Sequence, residues 1–195
     1  DFPNKTIGTN RSDSSNNLEN VDNIETSMSA VTNNSNMDWQ KKGNLLFFQG
    51  KYNEAIDEYN KALEINPNDS HTWLYNGRAL DNLGRYDEAL AAYNKALEIN
   101  PNFLLAWTNK GNVLLSLGRY EDAITAYNKA LDIDPNDAVN WNEKGVSLSY
   151  LGRYDEALAA YNKALEITPE NAITWNNKGN ALYGLKIYEE ALTAY

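Results

Sequence analysis

Apolar side chains recur at steps of three and four from residue 36 onwards, which is the spacing of one face of an α-helix. In the segment 86–99 the residues on that face are Tyr86, Ala89, Leu90, Tyr93, Ala96 and Leu97. Asp87 and Glu88 place negative charge in the first turn, where the helix dipole favours it. Pro101 ends the helix because proline lacks a backbone donor and disfavours helical geometry in the residue before it.

Another helix is predicted directly before this one, over residues 71–83. It ends at Gly84, since glycine suits the left-handed backbone turn that follows a helix. Each unit of the chain is therefore predicted to be helix, tight turn, helix.

A step of 34 residues organises these helix pairs. Three residue types recur at that step: Trp39, Trp73, Trp107, Trp141 and Trp175; Gly43, Gly77, Gly111, Gly145 and Gly179; and Pro67, Pro101, Pro135 and Pro169. The repeats, of which the last is truncated, are 36–69, 70–103, 104–137, 138–171 and 172–195. A fixed period of this size predicts stacked units that each hide an apolar face on the next.

The residues at the repeating positions resemble the tetratricopeptide repeat pattern. In the second repeat the resemblance rests on Trp73, Gly77, Gly84, Tyr86, Ala89, Tyr93, Ala96 and Pro101, and matching residues stand in repeats one, three and four. It implies an all-α fold, a right-handed superhelical α-solenoid of about five helix-turn-helix repeats. Repeat five departs from the pattern with Lys186 at the turn glycine.

A further departure concerns the residue before the first-helix glycine, where the family usually has leucine. This chain has lysine there in four repeats, and Asn76 in the second: Lys42, Lys110, Lys144 and Lys178. A lysine stem can cover apolar surface while its ammonium group reaches water, so no change of fold is expected.

The resemblance also implies which half of each repeat binds a partner. In this family the second helices form an outer wall, and the first helices line a concave inner surface. Residues 84–99 and 152–167 are identical, whereas the preceding segments 73–82 and 141–150 differ. A bracing helix can be copied unchanged because every repeat gives it the same neighbour, so the variable first helices are predicted to carry recognition.

By resemblance, the groove is lined by the second, fifth, sixth, ninth and twelfth positions of each repeat. The predicted binding residues are Asn44, Phe47, His71, Leu74, Tyr75, Arg78, Leu105, Thr108, Asn109, Asn112, Val139, Asn142, Val146, Ile173, Asn176, Asn177 and Asn180. Amides and apolar side chains suit an extended or helical peptide segment. The competing interpretation is plain repeat consensus, since asparagine at these positions also serves solubility.

The charged residues at groove positions cancel: Lys41, Arg78, Asp81 and Glu143. Some relatives hold the acidic tails of chaperones with a clamp of lysine, arginine and asparagine side chains over three repeats. No three consecutive repeats here carry that set, so no such clamp is expected. The predicted function is a non-catalytic scaffold or adaptor that binds a protein segment in its concave groove.

Composition narrows the classes of partner. The net charge is −10, from 17 basic and 27 acidic residues, so nucleic acid is not an expected partner. No apolar run approaches the roughly 18 residues of a membrane span, and no membrane insertion is expected. The chain has no cysteine, which fits a reducing compartment such as the cytoplasm.

Catalysis is not expected from these residues. The chain has one histidine, His71, and no thiol that could act as a nucleophile. Carboxylate pairs such as Asp87 and Glu88 begin outer helices, where dipole stabilisation explains them. No glycine-rich phosphate loop or metal-ligand spacing is present, so no cofactor or metal is predicted.

Residues 1–35 differ in composition from the repeats, because they are rich in Asn, Ser and Thr and contain Phe2 as their one aromatic residue. Such a polar segment is predicted to be mostly disordered. The alternative is a short docking helix over 16–31, where one face would carry apolar side chains: Leu18, Val21, Ile24, Met28 and Val31.

The alternative function is self-association through the ends of the array or through the tail. Solenoids need polar capping units, and the sequence shows apolar side chains at both ends: Trp39 and Leu45, and Ala191, Leu192 and Tyr195. A concentration series by light scattering tests this alternative, which predicts a homo-oligomer that dissociates on dilution. A monomer at every concentration would exclude it, and loss of the oligomer on deleting residues 1–35 would assign the contact to the tail.

Overall fold

The computed structural model describes residues 36–195 of the 195-residue chain. The predicted helix over 16–31 lies outside the described residues, as does the rest of the predicted tail. The described part consists of α-helices joined by short turns and loops, and it contains no strand. The predicted all-α fold is confirmed.

The helices alternate between the two predicted kinds. The first helices of the repeats are α1 (36–48), α3 (Ser70–Asn82), α5 (Leu104–Ser116), α7 (Ala138–Tyr150) and α9 (Ala172–Gly184). The second helices are α2 (Tyr52–Ile65), α4 (Tyr86–Ile99), α6 (Tyr120–Ile133), α8 (Tyr154–Ile167) and α10 (Tyr188–Ala194).

Local sequence signals set the bounds of the second helices. Asp87 and Glu88 lie in the first turn of α4, where the helix dipole stabilises negative charge. The backbone N–H of Asn100 donates to the carbonyl of Ala96 at 2.9 Å, and the chain leaves the helix there because a proline follows.

The turn between the two helices of a repeat needs a residue with left-handed backbone geometry. Four glycines meet this need with φ between +71° and +75°: Gly50, Gly84, Gly118 and Gly152. Lys186 takes the same position in the last repeat with φ +65°. That geometry costs a non-glycine residue about 1–2 kcal/mol, so the turn is kept in repeat five at the expense of strain.

The two helices of each repeat meet at a glycine that is covered by a tyrosine ring. The pairs are Gly43–Tyr59, Gly77–Tyr93, Gly111–Tyr127, Gly145–Tyr161 and Gly179–Tyr195. A Cβ atom on Gly111 would stand 2.5 Å from Cε1 of Tyr127, a separation that real side chains do not show. The ring of Tyr127 is fully buried, and it occupies the space that any larger residue at 111 would need.

Tryptophan side chains join each repeat to the loop before it. The indole N–H groups of Trp73, Trp107, Trp141 and Trp175 donate to proline carbonyls six residues earlier at distances of 2.7–2.9 Å. Lysine ammonium groups lie over three of these rings, those of Trp107, Trp141 and Trp175, for example Lys144 at 4.8 Å from the ring centroid of Trp141. The unusual lysines thus make cation–π contacts with the neighbouring tryptophan rings, a role beyond the expected cover of apolar surface.

Successive first helices lie closer together than successive second helices. α3 contacts α5, α5 contacts α7, and α7 contacts α9, whereas no two of α2, α4, α6, α8 and α10 are in contact. Because the shorter spacing is on one side, the array curves with the first helices inside. We call the exposed side of α1, α3, α5, α7 and α9 the inner surface.

Replacing Gly111 by alanine should destabilise the array by about 1–3 kcal/mol, because the added methyl group would overlap the buried ring of Tyr127. Urea denaturation followed by circular dichroism measures the change in the unfolding midpoint. Asn128→Ala, an exposed change on α6, is the control and should leave the midpoint nearly unchanged. Equal midpoints for Gly111→Ala and the native chain would contradict the role given to the contact.

Candidate binding groove

Packing against neighbouring helices leaves one side of each first helix exposed. On α5, Ala106 and Val113 are fully buried, and Gly111 is covered by the tyrosine ring. Leu105 and Asn112 stay exposed and are seven residues apart, so they lie on nearly the same side of the helix. The second and ninth residues of a repeat therefore form the middle of the inner surface.

The second residues form a row of exposed apolar side chains, which we call the apolar row. Its members are Met37 (47% exposed), Leu105 (54%), Val139 (58%) and Ile173 (69%). The second repeat has His71 at this position, with its ring 4.8 Å from the ring of Phe103. The row gives the inner surface one apolar contact per repeat in four of the five repeats.

The ninth residues are engaged by the fold as well as exposed on the inner surface. The hydroxyl groups of the buried tyrosines donate to asparagine Oδ1 at 2.8 Å in three repeats: Tyr59 to Asn44, Tyr127 to Asn112 and Tyr195 to Asn180. These amide oxygens are therefore already hydrogen-bonded within the fold. This structural role was not predicted from the sequence. The step of fifteen residues between each pair is the signal that could have shown it.

Two repeats lack the ninth-position asparagine. In repeat four the residue is Val146, and the oxygens of Tyr161 and Ser149 hydrogen-bond at 3.1 Å instead. In repeat two the residue is Arg78, and the buried hydroxyl of Tyr93 has no hydrogen-bond partner within the described residues.

Several fifth residues hold neighbouring repeats together. Asn140 Nδ2 donates to Thr108 Oγ1 at 2.9 Å, and Asn177 Nδ2 donates to Asn142 Oδ1 at 3.1 Å. In the first repeat Gln40 Nε2 donates in the same way to Thr72 Oγ1 at 2.9 Å. Thr108, Asn142 and Asn177 were predicted to face a ligand, but they bond across the boundaries between repeats.

Three predicted binding residues are buried, and the expectation that they offer surface to a ligand is wrong for each. Leu74 is 2% exposed and belongs to the core between the repeats. Phe47 is 8% exposed because its ring packs on those of Tyr52 and Tyr75. Asn142 is 7% exposed through its bond to the next repeat.

The inner surface near its amino-terminal end carries one arginine in contact with aromatic rings. The guanidinium of Arg78 lies 5.0 Å from the ring centroid of Phe47 and 5.4 Å from that of Tyr75, which indicates cation–π contacts. Asp81 follows one turn later, where burial raises the pKa of its carboxyl against the opposing effect of the Arg78 charge.

Near its other end the inner surface opens into a cleft of about 290 Å³ between repeats four and five. We call it the tyrosine cleft, and it is lined by Val146, Ser149, Tyr150, Tyr154, Tyr161, Asn177, Asn180 and Ala181. The ring of Tyr150 is 65% exposed and stacks on Tyr120 at 4.9 Å. Gly184 lets the ring of Tyr154 pack closely on α9, since a Cβ atom at this position would stand 2.7 Å from Cζ of that ring.

The sequence analysis missed the tyrosines of this cleft. Tyr150 is the thirteenth residue of its repeat, where the repeats on either side have Ser116 and Gly184. The available signal in the sequence was this substitution, because a large aromatic side chain replaces a small residue on the inner side of a first helix.

Hollows of 350–430 Å³ also lie on the other side of the array. The largest of these three is lined in part by Trp107, Lys110 and Arg119. Tryptophan and lysine from matching positions line the hollow next to α8, so these spaces follow from the repeat itself and do not distinguish one part of the chain.

The ends of the array expose apolar side chains. Leu45 is 60% exposed, whereas the matching Val113 is fully buried by the repeat before it. Leu192 is 74% exposed and Tyr195 61% exposed. That a second molecule or the tail covers these residues stays a prediction.

Two further kinds of site, a metal centre and a membrane span, have no candidate within residues 36–195. No group of three or more His, Asp or Glu side chains there could hold a metal ion. None of the helices in this range combines the length and apolar character that crossing a membrane requires.

Models of the tetratricopeptide repeat match residues 41–102, 76–138 and 126–159, and a further model described as TPR repeat matches 145–186. The chain belongs to the tetratricopeptide repeat family. The resemblance found in the sequence is thereby confirmed, and the tetratricopeptide repeats account for the alternating helices and for the glycine–tyrosine contacts.

Solved structures of tetratricopeptide repeat proteins have the same fold. A crystal structure of MamA is 22% identical, with a TM-score of 0.78 over 82% of this chain and 87% of that one. MamA 41-end from Desulfovibrio magneticus RS-1 is 22% identical, with a TM-score of 0.79 over 82% and 90%. YrrB, described as a TPR protein with an unusual peptide-binding site, is 24% identical, with a TM-score of 0.73 over 86% and 87%. No curated protein matches the sequence.

Removing the tyrosine hydroxyl should have unequal effects in two repeats. Tyr127→Phe should destabilise the chain by about 1 kcal/mol, because it deletes the bond to Asn112. Tyr93→Phe should be neutral or slightly stabilising, since it deletes a buried hydroxyl that has no partner within the described residues. Urea titrations of the two variants measure the difference, and Tyr59→Phe should behave like Tyr127→Phe. Equal losses at 93 and 127 would contradict this account.

Proposed function

We propose that this chain is a non-catalytic protein-interaction scaffold that binds an extended or helical peptide segment along its inner surface. Membership of the tetratricopeptide repeat family supports the role of a protein-interaction scaffold. The observation that carries the finer proposal is the apolar row, whose members are 47–69% exposed at the same position of four repeats.

The apolar row favours an elongated partner. Its members are spaced one repeat apart, so a compact ligand could contact only one or two of them. Leu105, Val139 and Ile173 occupy consecutive repeats and are each more than half exposed. Covering such half-exposed aliphatic side chains stabilises a complex by about 1 kcal/mol each, and the contributions accumulate along a bound segment.

The inner surface also offers hydrogen bonds to a peptide backbone. Asn176 is exposed, and the Nδ2 groups of Asn112 and Asn180 have no partner within residues 36–195 while their oxygens accept from tyrosine. These amide N–H groups can donate to peptide carbonyls without disturbing the scaffold.

His71, the chain's one histidine, is better explained as a contact residue than as a catalytic base. It is exposed on the inner surface, and its ring packs on Phe103. General base catalysis needs a nucleophile or an orienting carboxylate within hydrogen-bond reach, and the hydrogen bonds of the described residues place neither at its ring.

Replacing Leu105, Val139 and Ile173 by serine tests the proposal. Peptides are first selected from a random-peptide phage library against the native chain, and their affinities are measured by fluorescence anisotropy. The triple variant should bind them about 100-fold more weakly, since three apolar contacts of about 1 kcal/mol each are lost. The fold should survive because all three side chains are more than half exposed.

Leu45→Ser combined with Leu192→Ser is the matched control, because these leucines are 60% and 74% exposed but lie at the ends of the array. This control should bind the selected peptides as the native chain does. Full binding by the triple variant, or loss of binding in the control, would refute the inner surface as the site.

A further inference from the structure

Glu143 is a partly buried carboxylate on the inner surface that forms no ion pair within residues 36–195. It is the sixth residue of repeat four, and its Oε1 accepts one hydrogen bond, from Asn142 Nδ2 at 3.1 Å. The nine ion pairs found within residues 36–195 all join other residues. Burial raises the pKa of the Glu143 carboxyl.

The one fully buried carboxylate of the described residues has a different environment. Glu58 on α2 is 6% exposed, and it accepts from Lys42 at 2.8 Å and from Lys61 at 3.1 Å. Burial alone would raise the pKa of Glu58, but the hydrogen bonds from the two lysines hold it below its ordinary value. The charge of Glu58 is thus neutralised by two lysines of its own repeat.

Glu143 is also the one charge at the groove positions of repeats three to five. The other residues at the second, fifth, sixth, ninth and twelfth positions of these repeats are amides, hydroxyls or apolar side chains. Lys41, Arg78 and Asp81 belong to the first two repeats, so this half of the inner surface presents an isolated negative charge.

An apolar recess adjoins this carboxylate. Val146 follows Glu143 by three residues on α7, so the two lie on the same side of the helix. Val146 begins the tyrosine cleft, whose exposed Tyr150 ring is a large apolar surface that can also attract a cation. A carboxylate and an apolar recess therefore stand one helical turn apart.

We propose that Glu143 and the tyrosine cleft together recognise a lysine or arginine side chain and a neighbouring apolar side chain of the bound segment. A partner cation would pair with Glu143, which the fold partly buries and supports with a single hydrogen bond, from Asn142. The net charge of −10 would assist the approach of such a basic segment. This inference rests on the proposed function, because it names the chemistry of the segment that the inner surface holds.

A double-mutant cycle between chain and peptide tests the inference. The phage-selected peptides should share a basic residue next to an apolar one. Glu143→Gln should weaken binding of such a peptide about tenfold, and it should leave unchanged the binding of a peptide whose basic residue is replaced by glutamine. Glu64→Gln removes an exposed charge from α2 and is the matched control, expected to have no effect. Thermal melts followed by circular dichroism verify that both variants fold.

The possible outcomes separate this inference from the proposed function. Coupling between Glu143 and the basic residue of the peptide supports it. Peptides that lose binding in the Leu105, Val139 and Ile173 serine variant but are insensitive to Glu143→Gln would overturn the inference and leave the proposed function standing. Selection of no peptide, or of peptides that bind the serine variant equally well, would overturn both.

Discussion

The contact between a first-helix glycine and a second-helix tyrosine governs the geometry of every repeat. A Cβ atom at these glycines would meet the tyrosine ring at 2.5–2.7 Å, so the helices can approach only where the side chain is absent. The buried ring brings its hydroxyl to the base of the inner surface. That hydroxyl then needs a hydrogen-bond partner, and the ninth residue supplies it in three of five repeats.

Residues of the inner surface therefore also stabilise the scaffold. Ninth-position amides accept from buried tyrosines, and fifth-position residues such as Thr108 and Asn142 bond across the boundaries between repeats. In the proposed function, recognition falls to groups without such bonds: the exposed apolar row, the amide N–H groups beside it, and the exposed Tyr150 ring of the tyrosine cleft. The members of the apolar row are largely exposed, so they can differ between repeats, whereas α4 and α8 have the same sequence.

The carboxylates of Glu58 and Glu143 also have different electrostatic environments. Glu58 is held by two lysines within the first repeat, whereas Glu143 faces the groove with one amide bond. A desolvated charge without a counterion is costly to a fold, and a binding partner can offset that cost. The charge thus distinguishes the carboxy-terminal half of the groove from the half that contains Arg78, and it gives the inner surface a direction.

The amino-acid sequence by itself determined the helix pairs, the 34-residue period and the family, and it predicted that the first helices carry recognition. Those features follow from signals that act over a few residues, such as the turn at Gly84, the stop at Pro101 and the spacing of apolar side chains. Only the tertiary structure decided which groove residues are available to a partner. Leu74 and Asn142 proved to be buried, and Tyr150 emerged as a cleft residue, because contacts between separate helices determine how much of each side chain remains exposed.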